Sequence, residues 1–169
     1  MKYLSIILIL FFVSCNEFKG RIISVHDGDT VTLLSDGKIY KIRLAEIDAN
    51  ELGQPFGNQA KEYLSNLVLN KAIVAKQIDI DKYGRHVCKL FLNGSYVNEL
   101  MVISGNAWCY KKYASSKLYN EELIAKSERL GLWQDNNCIP PIYAANENGT
   151  ENWYWKAKKL ISDHEKQSK

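Results

Sequence analysis

The chain has 169 residues, with 22 Lys and Arg against 19 Asp and Glu and a formal net charge of +3. Its 46% hydrophobic and 24% charged content is ordinary globular usage. That composition excludes a disordered chain, a collagen-like repeat and a disulfide-dense miniprotein. A positive surplus this small implies nothing about a polyanionic partner unless the charges cluster.

Met1 to Cys15 reads MKYLSIILILFFVSC. Lys2 is a short positive start, and Tyr3 to Val13 is almost wholly apolar. Such a run is too short for the ~20 residues of a bilayer-spanning helix, but it suits the apolar region of a signal peptide. Ser14 and Cys15 follow, as in a lipoprotein signal cut before a cysteine that is then acylated. Residues 1–15 are therefore expected to be a signal peptide ending in a lipidated Cys15. Export and attachment to the cell envelope follow, with secretion as the alternative. The other cysteines, Cys88, Cys109 and Cys138, include no C-x-x-C and no zinc-type spacing with histidine. They could form one disulfide and leave one thiol, or serve as small buried apolar residues.

In the remaining chain, residues 21–26, 30–34 and 38–44 read as strands. Val31, Leu33 and Ile39 alternate, and Asp36-Gly37 marks a hairpin. Residues 56–69 read as a helix, with Phe56, Ala60, Tyr63, Leu64, Leu67 and Val68 on one face. Two further strands are expected at 72–78 and 86–92, followed by the Asn93-Gly94 turn. A short helix at 97–104 closes at Gly105. Ser115 or Ser116 can cap a helix running to Leu130. The Asn- and Pro-rich stretch 134–150 reads as loop, and 151–166 has helical spacing. Strands first and helices later predict an α+β fold with an antiparallel or barrel-like sheet.

Three clusters could carry chemistry: Asp27-Gly-Asp29-Thr30, then Arg43 to Glu51 (RLAEIDANE), then Asp81-Lys-Tyr-Gly-Arg85. Asp29 and Asp48 are hard oxygen ligands suited to Ca²⁺ or Mg²⁺. Two carboxylates cannot fill six to eight positions, so water, a carbonyl or substrate must complete the shell. Arg43 and Arg85 can grip phosphate oxygens bidentately. Glu51 could orient or deprotonate a water near the metal. Together these groups suffice for phosphodiester hydrolysis. Each cluster also has a plainer reading, as a turn, a surface salt bridge or a hairpin loop. Arg43 and Asp48 differ by an odd step, so a straight strand would send them to opposite faces. The strand must end or bend near Glu46 for the two to meet.

The ordered segments DGDT (27–30), IRLAEIDANE (42–51), QPFGNQAKEYL (54–64), DKYGR (81–85) and GSYVNELMVISGNAWCY (94–110), with GLW (131–133) and IPP (139–141), resemble the staphylococcal (micrococcal) nuclease family. The resemblance spans residues 20–143. It implies an OB-fold, a five-stranded barrel with about three helices, over a domain of residues 16–143. A C-terminal extension of residues 144–169, expected to be helical, lies beyond it. The resemblance further implies Ca²⁺-dependent hydrolysis of DNA and RNA that leaves 3′-phosphate ends.

Carried over, Asp29, Asp48 and the backbone carbonyl of Ala49 match the metal ligands, and Asp27 an acid outside the inner shell. Glu51 matches the general base, and Arg43 and Arg85 the groups that stabilise charge on phosphorus. Tyr83, with Tyr110 or Tyr113, resembles residues flanking the nucleotide. Two positions depart from the family pattern. Asn50 stands where proline is common, implying a less firmly held Glu51. Glu46 stands where a small residue is common, implying extra negative charge beside the metal. The implied partners are single-stranded or frayed DNA and RNA, gripped through phosphate with little sequence preference, and a membrane through the lipid anchor. A monomer is expected. The alternatives are a non-catalytic OB module that binds nucleic acid or a protein, and a structural envelope lipoprotein. His26, His86 and His164 lie in no metal or nucleophile motif and read as satisfied or surface residues.

Overall fold

Five strands wrap into a closed barrel because one long hairpin sheet curls until its third strand meets its last. In the computed structural model, which describes residues 16–110, 112–136 and 138, β1 (Glu17–Val25), β2 (Thr30–Ser35) and β3 (Lys38–Leu44) form a meander. Asp36-Gly37 turns the second hairpin, and both residues take positive φ. β5 (Ala72–Ile80) and β6 (His86–Leu92) form the other hairpin. β1 pairs antiparallel with β5, and β3 closes the barrel by pairing parallel with β6.

The expected five strands are thus present, and the fold is the OB-type α+β barrel. β1 begins four residues earlier than its local pattern predicts. Glu17 to Gly20 are extended because they pair with Ile73–Lys76 of β5, a distant partner that local periodicity does not reveal. Three short strands were not anticipated: β4 (Ile47–Asp48), β7 (Ser95–Tyr96) and β8 (Trp108–Cys109). β4 and β8 pair with each other away from the barrel sheet.

Three helices cover the barrel: α1 (Gly57–Val68), α2 (Val97–Ile103) and α3 (Ser116–Ser127). The helix-spaced Ala60, Leu64 and Val68 of α1 are buried against barrel residues such as Ile22, Val31, Leu33, Ile42, Leu44 and Leu90. Burying a side chain of that size contributes roughly 1.5–3 kcal/mol. Ser115 caps α3, its Oγ accepting from Leu118 N at 3.3 Å.

α3 ends at Ser127, three residues short of the expected Leu130. The chain reverses at Arg129, which has φ 55°, so that Leu132 N can donate to Gly105 O at 2.8 Å. A 3-10 turn at Gly131–Gln134 follows. It seats Leu132 and Trp133 with Trp108 and Ala125 in a second cluster that also receives Phe56.

Cys88 and Cys109 lie in the core, and Cys138 is partly exposed. The first two are buried, so the small-apolar reading is the one that holds for them. No helix among the described residues is long and apolar enough to cross a membrane. The leader and Cys15, the extension at 144–169 and His164 lie outside the described residues.

Candidate active site

The Asp27-Gly-Asp29 turn sits where β1 hands over to β2. Asp27 Oδ1 accepts from Asp29 N at 2.9 Å, which closes a tight Asx turn. Gly28 is required there by space. A Cβ would stand 2.6 Å from Ala49 Cβ and 2.7 Å from Ala60 Cβ, so only glycine lets the segment at Ala49 and α1 press against this turn. Asp29 is buried. Its Oδ1 accepts from Thr30 Oγ1 at 3.0 Å and its Oδ2 from Ala49 N at 3.0 Å.

The bend demanded by the odd spacing of Arg43 and Asp48 exists. β3 stops at Leu44, and Glu46 adopts φ 66°, the left-handed region. The chain then re-enters as β4. Arg43 Nη1 donates to the carbonyls of Leu44 and Ile47, both at 3.0 Å. Its Nη2 donates to Asp48 Oδ1 at 2.6 Å, and Nη1 lies 3.2 Å from Asp29 Oδ2. One guanidinium therefore joins both acids and pins the bend that brings them together.

Glu46 does not stand beside the acids as an extra charge. Its carboxylate accepts from Tyr96 Oη and pairs with Lys89 Nζ, each at 2.7 Å. Burial first, and then this hydrogen bond to Glu46, push the Tyr96 phenol far above its ordinary pKa. The Glu46 carbonyl accepts from Tyr110 N at 2.9 Å. Its consequence for the site is thus the shape of the turn.

Arg85 arrives from the turn before β6, 55 positions from Thr30 in sequence, and its Nη1 donates to Thr30 Oγ1 at 3.4 Å. Asp81 holds the turn and the guanidinium together. Its Oδ1 accepts from Tyr83 N and Arg85 N at 2.9 Å, and its Oδ2 accepts from Arg85 Nε at 2.7 Å. Burial pushes the Asp81 carboxyl up, but the bonds from Arg85 and Tyr83 and the Arg85 charge together overcome it and hold the group below its usual pKa. The i, i+4 spacing of Asp81 and Arg85 could have disclosed this partnership. Thr30 carried no comparable signal, because its role depends on two other chain segments.

Burial is the largest influence on each of Asp29, Arg43, Asp48 and Glu51, with the neighbouring charges next. Asp48 is pushed up to about 7, by burial first and then by Asp29, against the opposing pull of Arg43. Asp29 is raised by burial, with Arg43 opposing, and Asp27 adds to the rise. Glu51 is raised by burial and by Asp27 and Asp29, with Arg43 and Arg85 opposing. Burial disfavours the charge on Arg43, but Asp29, Asp48, Asp27 and Glu51 overcome it and keep the guanidinium protonated. Four acids thus share one field with two arginines.

A hard divalent cation fits this donor set. Asp29 and Asp48 present carboxylate oxygen under a surplus of negative charge, and Ala49 lies between Asp48 and the Asp29 contact. Among the described residues no group of three His, Cys, Asp or Glu side chains is placed to hold a metal. A shell built here needs main-chain oxygen and water.

The family model described as "Staphylococcal nuclease homologue" matches residues 41–135, which include the bend, Glu51 and Arg85. The chain belongs to the staphylococcal nuclease family. A "Micrococcal nuclease" of Shigella flexneri is 32% identical over 149 residues, covering 81% of this chain and 86% of that protein. An "Uncharacterized endonuclease" of Haemophilus influenzae is 38% identical over 144 residues, covering 82% and 81%. Another of Escherichia coli O157:H7 is 32% identical over 165 residues, covering 94% and 99%. As a staphylococcal nuclease homologue, the protein is a nuclease acting on nucleic acid.

The tyrosines lie on two different turns. Tyr83 is 70% exposed, with the Arg85 guanidinium 5.6 Å from its ring centroid. Tyr110 and Tyr113 stack on each other at 5.1 Å on the turn after β8. His26 Nε2 meets Thr32 Oγ1 at 2.7 Å and His86 Nδ1 meets Gln77 Oε1 at 2.6 Å, so both histidines are satisfied.

Proposed function

We propose that the protein is a Ca²⁺-dependent phosphodiesterase that hydrolyses DNA and RNA with little sequence preference and releases 3′-phosphate ends. The observation that carries this reading is the meeting of Asp29, Asp48 and Arg43 within 3.2 Å, with Arg85 reaching the same acids through Thr30. Asp29, Asp48 and the Ala49 carbonyl are the groups that would hold calcium. Bound there, the ion would supply Lewis-acid polarisation of a phosphate oxygen.

The chain's own groups do the rest. Glu51 takes or orients a proton of the attacking water, worth roughly 10²–10⁴ in rate. Burial, Asp27 and Asp29 raise its pKa against Arg43 and Arg85, the direction that strengthens a carboxylate as a base. Arg43 and Arg85 bind the non-bridging oxygens as charge grows on them, each worth about 10³-fold by analogy with arginine fingers. Asp81 holds Arg85 in that pose. Breaking the bond from phosphorus to the 5′-oxygen leaves the phosphate on the 3′ side. Tyr83, Tyr110 and Tyr113 offer stacking faces for unpaired bases, which favours single strands and frayed ends.

The cellular setting belongs to the same proposal and rests on residues 1–15 alone: an exported protein held at the envelope by lipid on Cys15. The test uses residues 16–169, plasmid and RNA, with Ca²⁺ or EGTA, and mapping of the product ends. Cleavage with Ca²⁺ that stops in EGTA and leaves 3′-phosphates is expected. Undiminished cleavage in EGTA would remove calcium, and 5′-phosphate ends would reverse the assigned leaving group. Binding without cleavage would return the non-catalytic alternative.

A further inference from the structure

The acceptor proposed for the water proton has no side-chain anchor. Among the described residues, no hydrogen bond or ion pair holds the Glu51 carboxylate; only its backbone groups are engaged. Its aim is therefore set by the main chain of residues 49–57. That segment is fixed at both ends: Ala49 N donates to Asp29 Oδ2, and Phe56 packs in the Trp108–Trp133 cluster just before α1.

Between these ends, two side chains bridge the loop. Glu51 N donates to Gln54 Oε1 at 2.9 Å, and Gln54 N returns a bond to Glu51 O at 3.0 Å. Asn50, only 5% exposed, donates from Nδ2 to Pro55 O at 2.6 Å. A buried amide is tolerated only when it is bonded, so this contact sets where Asn50 sits, and with it the next residue. Gly57 completes the loop. Its N donates to Gln54 O at 3.1 Å, and a Cβ there would lie 2.1 Å from Glu51 O. Where proline would stiffen the turn before the glutamate, this chain has a cross-loop amide bond from Asn50 to Pro55 O.

We infer that Asn50 and Gln54 are positioning residues that aim the Glu51 carboxylate at the attacking water. The inference rests on Glu51 being the proton acceptor proposed above. The experiment measures kcat, KM for a single-stranded oligonucleotide and the Ca²⁺ dissociation constant for N50A, N50D, Q54A and Q54E. Each is made in the wild-type and in the E51Q background, with thermal melts to establish folding. Because a small misplacement of a reacting group is felt strongly, N50A, N50D and Q54A should lower kcat about 10- to 100-fold and leave KM and Ca²⁺ affinity within roughly twofold. Ionised Asp cannot donate to Pro55 O, so N50D, assayed well above the carboxylate range, tests the bond at nearly constant shape. Q54E keeps an oxygen for Glu51 N and should restore most of kcat. In E51Q, N50A and Q54A should cause no further loss.

Unchanged kcat in N50A, N50D and Q54A would overturn the inference. So would a loss confined to KM or Ca²⁺ affinity, or a loss that persists in E51Q. Full activity of E51Q would remove Glu51 as proton acceptor, a failure of the underlying reading that is visible without any Asn50 variant. If N50A does not fold, N50D and Q54A decide.

Discussion

Asp48 is a residue on which function and stability pull apart. It lies largely out of solvent beside the buried Asp29, and the pair share Arg43 as their direct ion-pair partner. Its pKa of about 7 lies above the ordinary 3.8, so the folded protein binds this proton more tightly than the unfolded chain does. Ionised Asp48 therefore lowers stability progressively as pH rises from about 4 to about 7, and fully above that. In metal-free protein at pH 8, D48N should raise stability by on the order of 1 kcal/mol, a few degrees in Tm. The advantage should vanish below pH 4, while Ca²⁺-dependent cleavage is lost. A melt in EGTA checks it; a lower Tm for D48N at pH 8 would show that Asp48 supports the fold. At this scale the candidate acids, arginines and Glu51 were legible because their types suit one chemistry. Thr30 and Gln54 were not, and Asn50 was visible only as a missing proline, because their polar atoms matter only through partners set by the folded chain.

At the scale of elements, the site depends on how closely three pieces approach: the β1–β2 turn, β4 and α1. Gly28 is where they touch, with Ala49 and Ala60 within 2.7 Å of the position a Cβ would take. Neither alanine is a flexible side chain that can swing aside. G28A should therefore cost about 1–3 kcal/mol in urea unfolding, as overpacking does, and lower cleavage by shifting Asp29 against Ala49. Wild-type stability in G28A would show that this junction has slack. The hairpins and helices were readable from period and turn residues, since Asp36-Gly37 and the Ala60–Leu64–Val68 stripe are local signals. β4 and β8 were not, because two-residue strands have no period and exist only through their mutual pairing. The end of α3 was misjudged for a related reason: Arg129 turns where Gly105 waits, 24 residues away.

The whole molecule is a closed barrel whose rim gathers groups from four distant segments. Asp29 stands at the start of β2 and Arg43 near the end of β3. Asp48 and Glu51 lie beyond the bend, and Arg85 stands just before β6. The parallel pairing of β3 with β6, Arg43 beside Val87, is what carries Arg85 to the acids. The hydrolytic reading requires these groups to serve one phosphodiester. The most direct test is single-turnover cleavage of a single-stranded oligonucleotide at saturating Ca²⁺ by wild type, E51Q and R85A, with binding measured on the same samples. Each variant should cleave at least about 10²-fold more slowly, and E51Q should still bind the strand. Cleavage at the wild-type rate by either variant would contradict the account.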